Sequence, residues 1–449
     1  MASIEKHFVA VIGAATAGSE IARILAGRGA RVVVFEQNAR PYGKIEDGLP
    51  RWHVKQRKDE YREIDRRLAL PNIDYVPLTR LGRDLDFKEM VEQWGLSGIV
   101  LTHGAWRDRP FPVEGADALA GRGLVYQNSF IYWFNHYLES GYDGPRYEIV
   151  PATIVQGGGL ASFDVVKVLQ IEATLRALRQ RGIEEQMVRV EREGIEPVLA
   201  SHHLKWEELR VEPCHLFYRR RALDMPLSDI PPAAPLKRQD ALRQARAKIL
   251  EKAQRKYLFR FDELSLPTGL IVEAGRLSGV QMSRTELADG QVRTVADSAK
   301  PVRAPMTISS IGSIPEPIPG IPQRGETYTY ADQKAGLLIN GPTAVFAAGN
   351  VLTGKGNIKD SLDSGTEIGT KIAESYLGLS EERVAIGEGV RLKAQSEAES
   401  LSEVVAARPV LSESTIESIM VRVRERQKAV AYEGDYQHWI TRMTPEDLE

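Results

Sequence analysis

Two glycine-rich turns lie in this one chain, each at the end of a short apolar run and the start of a helical one. The first is Val9-Ala10-Val11-Ile12-Gly13-Ala14-Ala15-Thr16-Ala17-Gly18, and the second is Thr153-Ile154-Val155-Gln156-Gly157-Gly158-Gly159-Leu160-Ala161-Ser162. A strand, a tight turn and a helix N-terminus together cradle a pyrophosphate. The glycines let backbone approach the phosphates, and the unpaired amides with the helix dipole favour negative charge. One such turn predicts one dinucleotide; two predict two different dinucleotides in one protein. At 449 residues the chain is too long for a single compact core, so two or three domains of α/β type are expected.

The flanking residues distinguish the two turns. Residues 8–12 read as a buried parallel strand, 19–28 as a helix with Ile21, Ile24 and Leu25 on one face, and 31–35 as a second strand ending at Glu36. An acidic residue about 20 positions past the glycines accepts from ribose hydroxyls and repels a 2′-phosphate. The first site therefore predicts FAD or NAD rather than NADP, with Gly13, Ala15, Thr16, Ala17 and Gly18 around the phosphates. Ala15 stands where the pattern has its middle glycine, adding a methyl at the point of closest approach; a βαβ unit without ligand is the other reading. After the second turn, Gly157, Gly158 and Gly159 lead into a helix, and no acid closes the next strand. Instead Cys214-His215-Leu216-Phe217-Tyr218 runs into Arg219-Arg220-Arg221. Permanent charge and a planar donor fork suit a 2′-phosphate, which favours NADP; a solvated basic turn is the alternative. A flavin site plus an NADP site is the arrangement of a flavoprotein reductase.

Composition narrows the chemistry. The formal net charge of −2 gives no bulk attraction to nucleic acid or an anionic membrane. No apolar stretch approaches the roughly 20 residues of a bilayer span, and the first residues lack signal-peptide character, so a cytoplasmic protein is expected. Cys214 is the only cysteine. That excludes an internal disulfide, a dithiol relay and an all-cysteine iron–sulfur cluster within the chain. Electrons on a flavin must then leave directly for something outside it. No metal-ligand cluster is apparent.

With these residues in hand, the chain resembles the adrenodoxin reductase-like NADPH:ferredoxin reductases and, more distantly, the small subunit of glutamate synthase. The matching segments run in order: Pro41-Tyr42-Gly43-Lys44 through Trp52-His53, Leu101-Thr102-His103-Gly104-Ala105, and Ser129-Phe130-Ile131-Tyr132-Trp133-Phe134-Asn135. They continue with Gly157-Gly158-Gly159-Leu160-Ala161-Ser162-Phe163-Asp164, Tyr218-Arg219-Arg220 with Met225-Pro226, Ile308-Ser309-Ser310-Ile311-Gly312, and Phe346-Ala347-Ala348-Gly349-Asn350. The resemblance implies two Rossmann-like domains, an NADP domain (113–316) inserted into a discontinuous FAD domain (1–112 and 317–379), followed by a helical C-terminal extension (380–449). It implies that NADPH passes a hydride to FAD and that single electrons go on to an iron–sulfur protein. It places Gly43, Lys44, Gly104, Gly349, Asn350, Gly356, Asn357 and Ile358 near FAD, and Gly157, Gly159, Leu160, Ala161, Arg219 and Arg220 on NADP(H). It gives His53 and Asp164 the handling of protons, a task suited to histidine near neutral pH. The chain departs from the family at three points: the first turn reads Ala15-Thr16-Ala17-Gly18, Lys44 replaces an apolar residue, and Asn350 replaces a tryptophan. A cation at 44 would raise a flavin potential by stabilising its anionic reduced form. The start of the helix from 358 would point amides at the flavin pyrimidine ring.

Residues 237–256 read as one basic helix carrying Lys237, Arg238, Arg243, Arg246, Lys248, Lys252, Arg255 and Lys256 against Asp240 and Glu251. The resemblance implies docking of an acidic ferredoxin there, by electrostatic steering. A solvated face is the plain alternative, and too few aromatics interleave for stacking on bases. From residue 380 the chain is charged and helical. Residues 413–430 place Ile416, Ile419, Met420 and Val423 on one face, predicting a tail packed on the FAD domain or an oligomer contact. Besides the reductase, two further functions fit: an electron-input subunit of a larger complex, and a non-enzymatic dinucleotide-binding scaffold.

Overall fold

The computed structural model describes residues 7–231, 233–379 and 409–445. Much of the predicted extension, residues 380–408, and the last four residues lie outside them. The chain divides into two compact units. One takes the described residues of 1–49, 53–107 and 314–449; the other takes 50–52 and 108–313.

The first unit is built on a six-stranded sheet in the order Leu337–Ile339, Ala344–Ala347, Gly98–Leu101, Phe8–Ile12, Arg31–Phe35, Ile73–Val76. All neighbours are parallel except the outermost pair, Leu337–Ile339 with Ala344–Ala347. Strand Phe8–Ile12 is wholly buried because both of its faces are covered, which is why it reads as an uninterrupted apolar run. The chain leaves it towards Arg31–Phe35 on one side and later returns to Gly98–Leu101 on the other, so a topological switch point opens at its carboxyl end. The Thr102 hydroxyl ties that end together, donating to the carbonyls of Ile12 and Gly13 at 2.9 and 2.8 Å.

The second unit repeats the plan. Its five parallel strands run Leu124–Tyr126, Thr307–Ser310, Ile154–Gly157, His215–Phe217, Arg260–Asp262. Ile154–Gly157 takes the central place, and the order switches between it and Thr307–Ser310. An antiparallel sheet of Ser265–Glu273, Arg276–Ala288, Gln291–Thr294 and Lys300–Arg303 completes the unit. The α/β class and the pair of Rossmann-like sheets thus agree with expectation.

The tail helices Glu413–Ala429 and Tyr436–Met443 belong to the first unit. Ile419, Met420 and Val423 are buried in its core, as are Tyr436, Trp439 and Ile440. Among the described residues no helix is long and apolar enough to cross a membrane.

Candidate nucleotide sites

In the first unit the turn is shaped by contacts that only glycine allows. Gly13 has φ +100°, and a Cβ there would sit 2.7 Å from the Thr102 carbonyl oxygen; a Cβ on Gly18 would collide with the carbonyl of Gly13. The helix Thr16–Gly27 therefore starts flush against the sheet. Its N-cap, Ala15, offers no side-chain acceptor, and its first turn holds no acid. The opening amides thus keep their capacity for an anion. The small side chains of the turn touch other predicted residues: a Cβ on Gly43 would lie 3.0 Å from that of Ala15, and one on Gly349 would lie 2.9 Å from that of Ala17. Gly13, Ala15, Ala17, Gly18, Gly43 and Gly349 are thereby gathered around one helix N-terminus, with Gly104 (φ +75°) on the loop after Gly98–Leu101.

Glu36 follows the second strand and is buried. Its carboxylate accepts from the amides of Ala14 and Asn38, both at 2.9 Å. Two such bonds leave acceptor capacity on each oxygen for ribose hydroxyls. Burial pushes its pKa up to about 7 against those amides. Lys44 opens the short helix Lys44–Asp47, and its ammonium lies 5.5 Å from the centre of the Trp106 ring. Asn350 begins the helix Asn350–Thr353, and its side-chain oxygen is a buried atom with no hydrogen-bond partner among the described residues. A Cβ on Gly356 would come within 3.4 Å of the Asn350 amide nitrogen. Asn357 caps the helix Ile358–Lys371, accepting from the Asp360 amide at 2.7 Å. His53 is the N-cap position of the helix Val54–Leu68, half-buried.

In the second unit the same geometry recurs with different chemistry. A Cβ on Gly157 would collide with the Ser310 carbonyl and the Ser162 hydroxyl, and one on Gly158 with the Tyr218 ring; at Gly159 the space is open. The Ser162 hydroxyl bridges the turn to the neighbouring strand, donating to the Ser310 carbonyl at 3.0 Å. The helix Leu160–Arg179 begins without a side-chain cap or an acid in its first turn, and Leu160 and Ala161 are exposed. The three arginines after His215–Phe217 are not equivalent. Arg221 is held by Asp224 at 2.8 Å, whereas the guanidiniums of Arg219 and Arg220 enter no ion pair among the described residues.

Asp164 lies one turn into that helix. Its carboxyl faces Lys167 at 3.9 Å, and Lys167 also meets Glu191 at 3.2 Å. Burial pushes Asp164 up to about 7, with Lys167 pulling down and Glu191 pushing up. His53 belongs to the first unit and Asp164 to the second. Sequence reasoning passed over Lys167 and Glu191. Lys167, three residues beyond Asp164 on a helix, carried a local signal; Glu191, on another helix, carried none.

The basic helix spans Leu236–Tyr257 and buries Leu250 and Tyr257. Arg243 pairs with Asp240, and Arg246 donates to the Ser228 carbonyl. Lys237, Arg238, Lys248, Lys252 and Arg255 remain exposed.

A turn that admits no Cβ at Gly13 or Gly18, an uncapped helix start and an orphaned buried amide oxygen fit an FAD in the first unit. An open glycine turn with two uncommitted guanidiniums fits NADP(H) in the second.

No family model matches the chain. The NADPH glutamate synthase small chain of Bacillus subtilis is 30% identical over 161 residues, which is 35% of this chain and 31% of that one. The match thus spans about a third of that relative. FprA of Mycobacterium tuberculosis, solved in complex with NADPH, superposes with a TM-score of 0.65 at 16% identity, covering 94% of this chain and 91% of that one. Another structure of FprA, described as an oxidoreductase with a covalently modified NADP+, gives 0.64 at the same identity and coverage.

Proposed function

We propose that this chain, whose fold is like that of FprA, is an NADPH-dependent flavoprotein oxidoreductase of the adrenodoxin reductase type that passes electrons to an acidic, ferredoxin-type iron–sulfur protein. One observation carries the reading: two uncapped helix N-termini, each at the switch point of its own parallel sheet, end in opposite chemistry, Glu36 in one unit and Arg219 with Arg220 in the other. FAD would supply the conversion of a two-electron hydride from NADPH into single electrons.

The chain's own residues do the rest. The opening amides at Thr16, Ala17 and Gly18 hold the flavin pyrophosphate, and Glu36 accepts from its ribose. Gly43, Lys44, Gly104, Gly349, Asn350, Gly356, Asn357 and Ile358 form the wall for the ring system. Gly157, Gly159, Leu160 and Ala161 seat the NADPH pyrophosphate, and Arg219 and Arg220 grip the 2′-phosphate. His53 and Asp164 handle protons. The exposed cations of Leu236–Tyr257 steer the acidic acceptor.

The test is anaerobic mixing of the flavin-loaded protein with NADPH and, separately, NADH, following flavin bleaching. NADPH bleaches faster, and Arg219→Ala removes the preference by weakening NADPH binding by about 1.5–3 kcal/mol. Equal rates in the parent protein would refute the role of the arginines. The likeness to the glutamate synthase small chain favours a second reading, an electron-input subunit. In that case the isolated protein reduces dyes but shows no turnover with free ferredoxin.

A further inference from the structure

Beside Asp164 lies Lys167, which meets two carboxylates and two aromatic rings. Its ammonium lies 3.9 Å from Asp164 and 3.2 Å from Glu191. It also lies 5.8 Å from the centre of the Trp52 ring and 5.5 Å from that of Tyr257. Two carboxylates and two aromatic faces thus converge on one cation that is only 18% exposed. Glu191 is itself held. The Tyr257 hydroxyl donates to its backbone carbonyl at 3.0 Å and to its carboxylate at 3.1 Å. Burial pushes Glu191 up, but Lys167, Lys256 and Tyr257 outweigh it and keep the carboxylate below its usual range. The charged and titratable groups around Lys167 are therefore Asp164 on its own helix, Glu191 on Met187–Glu193, and Lys256 and Tyr257 on Leu236–Tyr257.

We propose that Lys167 and Glu191 act as a paired positioning device: Glu191 draws the Lys167 ammonium partly away from Asp164, and the share of that cation left to Asp164 sets when its carboxyl gives up a proton. The inference rests on the proton-handling role proposed above for Asp164, and it concerns side chains that role does not use. The geometry explains its form. A lysine given wholly to Asp164 would leave a permanent carboxylate, unable to accept and return a proton near neutral pH. Without Lys167, Asp164 would face Glu191 alone, and like charge in a buried place would keep it protonated. Sharing holds the group between these limits. Trp52 and Tyr257 fix where the ammonium sits.

The two partners predict opposite effects. Lys167→Met raises the Asp164 titration by about 1 unit or more; Glu191→Gln lowers it, because Lys167 is released towards Asp164; Lys167→Arg leaves it near the parent position. Two readouts apply to the full-length chain. The first is infrared titration of the Asp164 carboxyl in flavin-free protein with isotope-labelled aspartate, taken as the difference from Asp164→Asn. The second is the pH profile of anaerobic flavin bleaching by NADPH. Opposite shifts in Lys167→Met and Glu191→Gln support the proposal. Shifts of the same sign, or none, while Asp164→Asn still removes the kinetic step, overturn it and leave the role of Asp164 standing. A kinetic step that survives Asp164→Asn overturns both. If Lys167→Met fails to fold, Glu191→Gln and Lys167→Arg carry the same decision.

Discussion

At the scale of single residues, the two nucleotide turns are told apart by what closes the adjoining strand. Glu36 is buried and titrates near 7, above its value of about 4.3 in an unfolded chain. Asp164, also near 7, behaves alike. Both groups bind more protons folded than unfolded across that window, so the stability they contribute is complete at the acid end and is lost as pH rises towards 7. Thermal melts of flavin-free protein should therefore show Tm falling between about pH 4 and 7, with Glu36→Gln flattening part of the slope; an unchanged slope in Glu36→Gln with Asp164→Asn would contradict the assignment. Ribose hydroxyls donating to Glu36 favour its ionised form, so flavin binding near neutral pH should release protons, measurable by calorimetry in buffers of different ionisation enthalpy. The sequence made Glu36 legible because its spacing from the glycines is local. It did not separate Arg221 from Arg219 and Arg220, although Asp224 stands only three residues beyond Arg221, because that spacing brings the pair together only if the intervening residues turn helically, as Ala222–Asp224 does.

At the scale of elements, glycine is demanded where a helix must begin against the neighbouring strand. Gly18 abuts the carbonyl of Gly13, and Gly158 abuts the face of Tyr218. Gly158→Ala should cost about 1–3 kcal/mol through overpacking, read by chemical denaturation, and should weaken NADPH binding because the turn must shift. A stability within error of the parent would show that the Tyr218 ring moves aside freely. Turns, flanking strands and helices were readable because their signals lie within about 20 residues. The hydrogen bond from the Trp439 indole to the Ala39 carbonyl, at 2.7 Å, was not, since it joins residues 400 positions apart. The helical spacing of Ile419, Met420 and Val423 told that one face of the tail is covered, yet not by what.

At the scale of the whole molecule, the C-terminal helices complete the first unit. Tyr436 donates to Asp65 at 2.7 Å, and Asp65 also accepts from Tyr42 in the segment before Gly43. Gln427 donates to the Tyr75 carbonyl and Arg422 pairs with Glu89. Trp439, 2% exposed, should cost about 3–5 kcal/mol when replaced by alanine, and loss of its bond to Ala39 should loosen the stretch leading to Gly43. Flavin content of the purified Trp439→Ala protein checks this; full retention with an unchanged melting temperature would contradict it.

The interrupted course of the chain also bears on how it is made. Strand Gly98–Leu101 finds its outer neighbour only in Ala344–Ala347, whereas all five strands of the inserted sheet have been synthesised by Ser310. On a ribosome adding about 5–20 residues per second, that bare flank waits on the order of tens of seconds for its partner. The later-started unit is thus the first that can close, and the nascent amino-terminal half is where a holding chaperone or an errant edge would bind.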